Sequence, residues 1–327
     1  MSKSSWLLLG AAAVVASAVL LPLAGSANVS LAQAWAGVSP DREIVFDIRL
    51  PRVLLGLLAG GALSVAGVIC QALLRNALAT PDTLGVASGA SLGAVIAICL
   101  GWGEAGHFNG VGLAGLAGAA VAVAGVVGLA NDTGRMSSFT LLLAGVTLNS
   151  ICLALILFLQ TITSFGKSLV IVRWLMGGID TVEYATLAWL AVTLLPVIAL
   201  LVWRARDWNL LAVGEDWALA RGVPAQQMIW GGYFAVSLLT GLVTAITGPI
   251  GFVGLIVPHA LRLKLGADHR MLLPAAFLYG AAFLAVSDTA ARMILAPAEI
   301  PVGVLTALLG GPFFILLLRS KRRSMWL

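Results

Sequence analysis

Long apolar runs separated by short polar stretches make up most of the chain, and runs such as Leu7 to Leu23 and Ala185 to Val202 hold no charged residue. A helix needs about 20 predominantly apolar residues to cross a bilayer. Runs of that kind fall at about 6–25, 53–74, 83–102, 109–130, 140–161, 185–203, 228–247, 250–265, 272–293 and 302–319. They predict an all-α polytopic membrane protein with ten transmembrane helices. The run 250–265 is short and contains Pro258, and the Gly-rich run 109–130 is a poor helix former in water but acceptable in lipid. The first run follows a lone Lys3 and ends in small residues, as a signal peptide would, but it exceeds a usual signal core and is expected to be an uncleaved span. With no internal repeat or low-complexity linker, a single transmembrane domain over 1–327 is expected, with a loop at about 205–227 on one side.

Small residues recur where helices should touch: Gly56 and Gly60 form a GxxxG pair, and Gly112, Gly115 and Gly118 recur every third position. Two segments depart from the simple alternation. Leu211 to Pro224 predicts a short helix with Glu215 and Asp216 in the first turn, Arg221 in the last, Gly222 at C′ and Pro224 beyond. Two turns are marginal alone in water, so this helix docks either on the protein's own inner surface or on a cytoplasmic partner. In Gly248 to Arg262, glycines and Pro258 interrupt an apolar stretch, as in spans that line a pathway or pack closely. His259 beside the break is either a hydrogen-bonded boundary residue or a proton-carrying group.

Composition narrows the class. Of 327 residues, 60% are hydrophobic and 10% charged, against about a quarter charged in soluble domains, which excludes a soluble α/β protein. The formal charge of +5 comes from residues scattered at segment ends, never as a stripe on one helix, so nucleic acid is not expected as a partner. Cys70, Cys99 and Cys152 lie in apolar runs without CxxC spacing, and neither a metal site nor a disulfide framework is indicated. An even number of spans puts both termini on one side. With them cytoplasmic, thirteen basic residues (Lys3, Arg75, Arg135, Arg204, Arg206, Arg221, Arg262, Lys264, Arg270, Arg319, Lys321, Arg322, Arg323) fall inside against six outside (Arg42, Arg49, Arg52, Lys167, Arg173, Arg292).

No catalytic constellation or energy source is visible in the chain. Gly166-Lys167-Ser168 ends like a Walker A loop, but Thr161 stands where the pattern needs glycine, and the match is read as chance. Energy must then come from a partner ATPase or from an ion gradient. Ion-coupled carriers keep ionisable groups in mid-membrane, yet Asp288 lies four residues before Arg292, the spacing of a structural ion pair. On the other side Arg49-Leu-Pro-Arg52 opens the second span and Arg292 closes the ninth. These arginines suit docking of acidic residues from a delivery protein, or serve as snorkelling anchors.

The chain resembles, over nearly its whole length, the FecCD permeases, membrane subunits of ABC importers for iron-siderophores, haem and vitamin B12. The likeness is carried by Arg49-Leu-Pro-Arg52, Gln71-Ala-Leu-Leu-Arg-Asn76, Pro81-Asp-Thr-Leu-Gly85 with Ser88-Gly-Ala-Ser91, Leu141 to Gly145 and Trp174 to Gly178. It continues in Leu211 to Val223, Gly251 to His259, and Glu299 to Gly303 leading to Gly311-Pro-Phe-Phe314. The resemblance implies a type II ABC importer architecture in the bacterial inner membrane: a homodimer with the path on its two-fold axis, a cytoplasmic ATP-binding subunit that uses ATP and Mg, and a periplasmic substrate-binding protein. It implies no cofactor bound by this chain and no enzyme activity in it. It assigns ATPase coupling to Gly214, Glu215, Asp216, Trp217, Ala218, Arg221 and Gly222; binding-protein docking to Arg49, Arg52 and Arg292; and the cytoplasmic gate to Asn76, Leu78, Ser138 and Phe139. Ala77 stands where the family usually has proline, which is expected to loosen the gate turn. The expected cargo is a metal chelate, ferric siderophore first, haem or cobalamin next.

Overall fold

The computed structural model describes residues 3–324 except 26, 28, 103, 106, 107, 133 and 134, and the side chains of these except 3, 31, 104, 105, 108, 109, 131, 132, 135, 136 and 316–324. The side chains of Lys3, Arg135, Arg319, Lys321, Arg322 and Arg323, which weigh in the orientation argument, lie outside the described residues.

Among the described residues fourteen α-helices follow in order: α1 Lys3–Leu20, α2 Leu31–Trp35, α3 Leu50–Leu73, α4 Val86–Leu100, α5 Gly110–Ala130, α6 Ser138–Ile162, α7 Phe165–Leu175, α8 Tyr184–Trp203, α9 Ala205–Val213, α10 Glu215–Ala220, α11 Ala225–Thr247, α12 Val253–Leu265, α13 His269–Ile294 and α14 Val302–Ser324. Each of the ten expected spans coincides with one of these helices. Among the described residues seven stretches are long and apolar enough to cross a bilayer, with Val86–Leu100 and Val302–Ile315 as shorter apolar helices. The 13 residues of α12 rise only about 20 Å at 1.5 Å each, short of a hydrocarbon core of about 30 Å. Before it, residues 248–252 are non-helical, with Gly248 and Phe252 at positive φ.

The structure also holds elements that apolar runs do not reveal. A π-helical segment, Glu43–Arg49, leads directly into α3. The helix α7, with Lys167 and Arg173 on it, stands between the fifth and sixth expected spans. The short helix expected within Leu211 to Pro224 is α10, with Glu215 and Asp216 in its first turn, while Leu211 to Val213 finish a separate helix, α9, and Gly214, in extended conformation (φ 162°, ψ 154°), divides the two.

The helix α3 forms the centre and is buried along nearly its full length. Its small residues explain why, since helices in lipid associate by close packing rather than by hydrophobic exclusion. A Cβ on Gly60 would lie 2.3 Å from Gly280 O of α13, and Gly56 faces Ala285 of the same helix. The expected α5 stripe works likewise on α4, where a Cβ on Gly118 would lie 2.2 Å from Gly89 O. The rim is coated with exposed Leu, Val and Phe, among them Val121, Leu157, Phe158 and Val192, as a lipid-facing surface requires.

Candidate docking and gating sites

Two ends of the bundle carry the polar chemistry. At the first, α10 is held between α9 and α11. Glu215 and Asp216 occupy its first turn, favourable to the helix dipole. Ala218 is fully buried, whereas Trp217 and Leu219 are 57% and 58% exposed. Arg221 is the C-cap rather than part of the last turn, and its guanidinium carbon lies 5.4 Å from the Trp217 ring centre. Gly222 takes φ +78°, and Val223 N–H closes onto Ala218 O at 2.9 Å, the Schellman termination that favours glycine at C′. Glu215 faces inward, its Oε1 accepting from Arg75 Nη2 at 3.1 Å.

Arg75 ends α3 in the left-handed region (φ +49°), where a non-glycine residue costs about 1–2 kcal/mol. Asn76 N–H donates to Gln71 O at 3.1 Å. The Asn76 side chain then accepts from Leu78 N–H at 3.0 Å, and its carbonyl from Ala79 N–H at 3.1 Å. The turn that Ala77 is expected to loosen is therefore pinned by Asn76, an Asx turn doing locally what a proline would do by ring geometry. Ser138 Oγ donates to Leu73 O at 2.7 Å, which brings the start of α6 to the same place. Phe139 points away, 74% exposed.

A latch at this end went unrecognised in the sequence. Asn209 of α9 donates to Asp268 Oδ1 at 2.8 Å and accepts from His269 N–H at 2.8 Å. Asp268 also N-caps α13 by accepting from Arg270 N–H. Hydrogen bonds from the Arg270 side chain, with Asn209 second, hold its carboxyl well below the usual carboxylate range. The local signal was an Asp one residue before an apolar helix; Asn209, 59 residues away, gave none. We predict that Asp268→Ala lowers stability by about 1 kcal/mol, measurable as a drop in thermal midpoint. A carboxyl with a depressed folded-state pKa stabilises above its unfolded value of about 3.9 and loses that contribution as pH falls below it, so wild type and variant converge in acid.

At the opposite end Arg52 forks onto Asp288 through Nε and Nη2, both at 3.1 Å, and reaches Glu299 Oε2 through Nη1 at 3.0 Å. Arg292 Nε lies 3.2 Å from the same Asp288, confirming the i,i+4 ion pair, and its Nη2 donates to Thr289 Oγ1. Arg49, 5% exposed, donates to the carbonyls of Pro22, Leu23 and Ala27. Two of the three arginines expected at the surface are thus buried and engaged with this chain. Glu299 is the exposed member of the cluster. Beside it lies a cavity of about 810 Å³ lined by Arg52, Arg173, Trp174, Asp180, Pro297 and Glu299.

The remaining candidates make contacts within the chain. His259 is buried edge-on to Phe313, with ring centres 6.2 Å apart. Lys167 of the Walker-like triplet lies on α7 and donates to Cys99 O at 2.5 Å. Cys70 Sγ meets Thr80 O at 3.1 Å.

The profile of the FecCD transport family matches residues 8–320. The vitamin B12 import system permease protein BtuC of Shigella boydii is 39% identical over 97% of this chain and 96% of its own length. The hemin transport system permease protein HmuU of Yersinia pestis is 37% identical over 92% and 91%. A solved structure described as an inward-facing conformation of a metal-chelate type ABC transporter superposes with a TM-score of 0.85 at 33% identity, covering 97% of this chain and 99% of that one.

Proposed function

The chain belongs to the FecCD transport family, and we propose that it is the permease subunit that passes a metal chelate from periplasm to cytoplasm, driven by a separate ATP-binding subunit seated on α10. The family is one of membrane permeases of ABC importers, and the fold is the matching multi-pass helical one. Cobalamin is the first cargo to test and haem the second, because relatives named for vitamin B12 and hemin transport cover more than nine-tenths of this chain. A ferric siderophore belongs to the same chemical class.

The observation that carries the coupling assignment is α10 itself. It lies outside the spans, its Ala218 is packed inward, and it holds a tryptophan and a leucine more than half exposed. An exposed tryptophan suits a partner's pocket, tryptophan being enriched among the residues that anchor interfaces. In this reading the α10 end and both termini are cytoplasmic, and residues 205–227 form the coupling loop of one permease domain. The turn at Asn76 to Leu78, with Ser138 and Phe139, gates the inner mouth of a homodimer. The Arg52–Glu299 rim receives the binding protein, with Arg49 and Arg292 holding that rim in shape.

Proteoliposomes carrying this subunit with its cognate ATPase, with ATP and Mg enclosed on the α10 face and the binding protein outside, are expected to take up cobalt-labelled cyanocobalamin, and the subunit alone to take up none. Trp217→Ala is expected to cut ATPase retention on tagged permease by about tenfold or more, the loss of one anchor side chain. Uptake driven by a proton or sodium gradient without the ATPase would sink the importer reading.

A further inference from the structure

Arg75 occupies a position that favours a different residue. It is the C′ residue of α3, with φ +49°, and Asn76 N–H closes the termination onto Gln71 O. Glycine adopts this conformation without strain. An arginine there keeps the strain and adds only its guanidinium. That group reaches Glu215, the first residue of α10 and 140 positions away in the chain.

The pair stands at a mechanical junction. α10 is separated from α9 by the extended residue Gly214. The apolar packing that holds α9 to the bundle, where Trp208 and Leu73 meet over Gly232, also takes in α10 through the buried Ala218 and Val223. To this the Arg75–Glu215 pair adds a polar contact that runs directly from the first turn of α10 to the end of α3. Behind Arg75 the connection is continuous: Asn76 fixes Leu78 and Ala79 through its side chain and carbonyl, and Ser138 fixes the start of α6 to Leu73 O. We infer that the Arg75–Glu215 pair transmits displacement of α10 into the Asn76–Ala79 turn and the start of α6. The inference rests on the reading of α10 as the ATPase-docking helix, and it separates two roles on that helix. Trp217 and Leu219 bind the partner, whereas Glu215 passes its movement inward. Both charges are partly exposed in the free chain, where water screens such pairs and makes them weak. A partner that covers α10 excludes that water and strengthens the link, so docking engages it.

The test uses the complete transporter with a Leu78→Cys reporter labelled by a membrane-impermeant maleimide, with and without ATP and Mg. The parent lacking Leu78→Cys gives the background from the three natural cysteines. Arg75→Gly suits the left-handed C′ site, so the thermal midpoint is expected to hold or rise and the ATPase to be retained. The nucleotide-dependent change in labelling rate is expected to fall at least about fivefold, the scale of a typical site-to-site coupling. Exchange of the charges, Arg75→Glu with Glu215→Arg, is expected to restore the response that either single reversal loses. An undiminished response in Arg75→Gly, or an exchange that restores nothing, overturns the inference alone. Loss of the ATPase from Arg75→Gly would make the pair a docking contact and also overturn it. Full ATPase retention by Trp217→Ala, measured alongside, removes the docking reading and this inference with it.

Discussion

Asp288→Ala is expected to lower the free energy of unfolding by about 3–5 kcal/mol, the scale for removing one partner of a buried ion pair. Asp288 is buried and accepts from Arg52 in a bidentate fork while Arg292 lies against the same carboxylate. Its loss leaves two guanidiniums without their shared counter-charge, and Glu299 can satisfy only the Arg52 side. Because the four residues join α3, α13 and the segment before α14, the damage reaches the central helix pair. Asp288→Asn, which keeps the shape and one acceptor, should fall between. Replacing Asp288 and Arg292 together by leucine should recover part of the loss, since apolar substitution of a whole buried pair is often tolerated. Thermal unfolding of the detergent-solubilised subunit checks this. A midpoint for Asp288→Ala within a degree or two of wild type would show that the cluster is solvated and contributes little.

Gly67→Ala is the second large effect. A Cβ at Gly67 would lie 2.0 Å from Gly254 O and 2.6 Å from Gly254 C and Cα, all backbone atoms that cannot rotate aside. One methyl group must push α12 away from α3. Overpacking of this kind costs about 1–3 kcal/mol and sometimes more. The functional loss should exceed the stability loss, because α12 follows directly on the interrupted stretch from Gly248 and carries Pro258 and His259. Gly128→Ala, in a helix where a Cβ would meet nothing within 4 Å, is the control. It should be neutral or slightly stabilising, as alanine is the better helix former. Equal behaviour of the two variants in thermal stability and ATP-dependent uptake would show that α3 and α12 are not held at that distance.

The spans were legible because the bilayer imposes a length and an apolar composition on every crossing segment, whatever it packs against. The α10 helix was legible too, since acidic residues, Gly222 and Pro224 act within a few residues of one another. Its first turn at Glu215 and Asp216 and its stop at Gly222 fall where expected, whereas the separate helix α9 that ends in Leu211 to Val213 gave no signal of its own. The GxxxG spacing announced that α3 packs closely, but not that Gly60 meets Gly280 or that Gly67 meets Gly254.

Local order in the chain thus specified the ten longest helices, the start and stop of α10, the membrane class and the likeness to one transport family, because each depends on neighbours in sequence or on the solvent outside. What charged groups do at the two ends had to wait for the fold. Arg49, Arg52 and Arg292 read alike as basic residues at span ends, yet Arg49 holds backbone carbonyls and the other two hold a carboxylate. Arg75 and Glu215 are 140 residues apart and carry no mutual signal in sequence. Coulomb and hydrogen-bond energies fall off with distance in space, and that distance is set by how the helices pack.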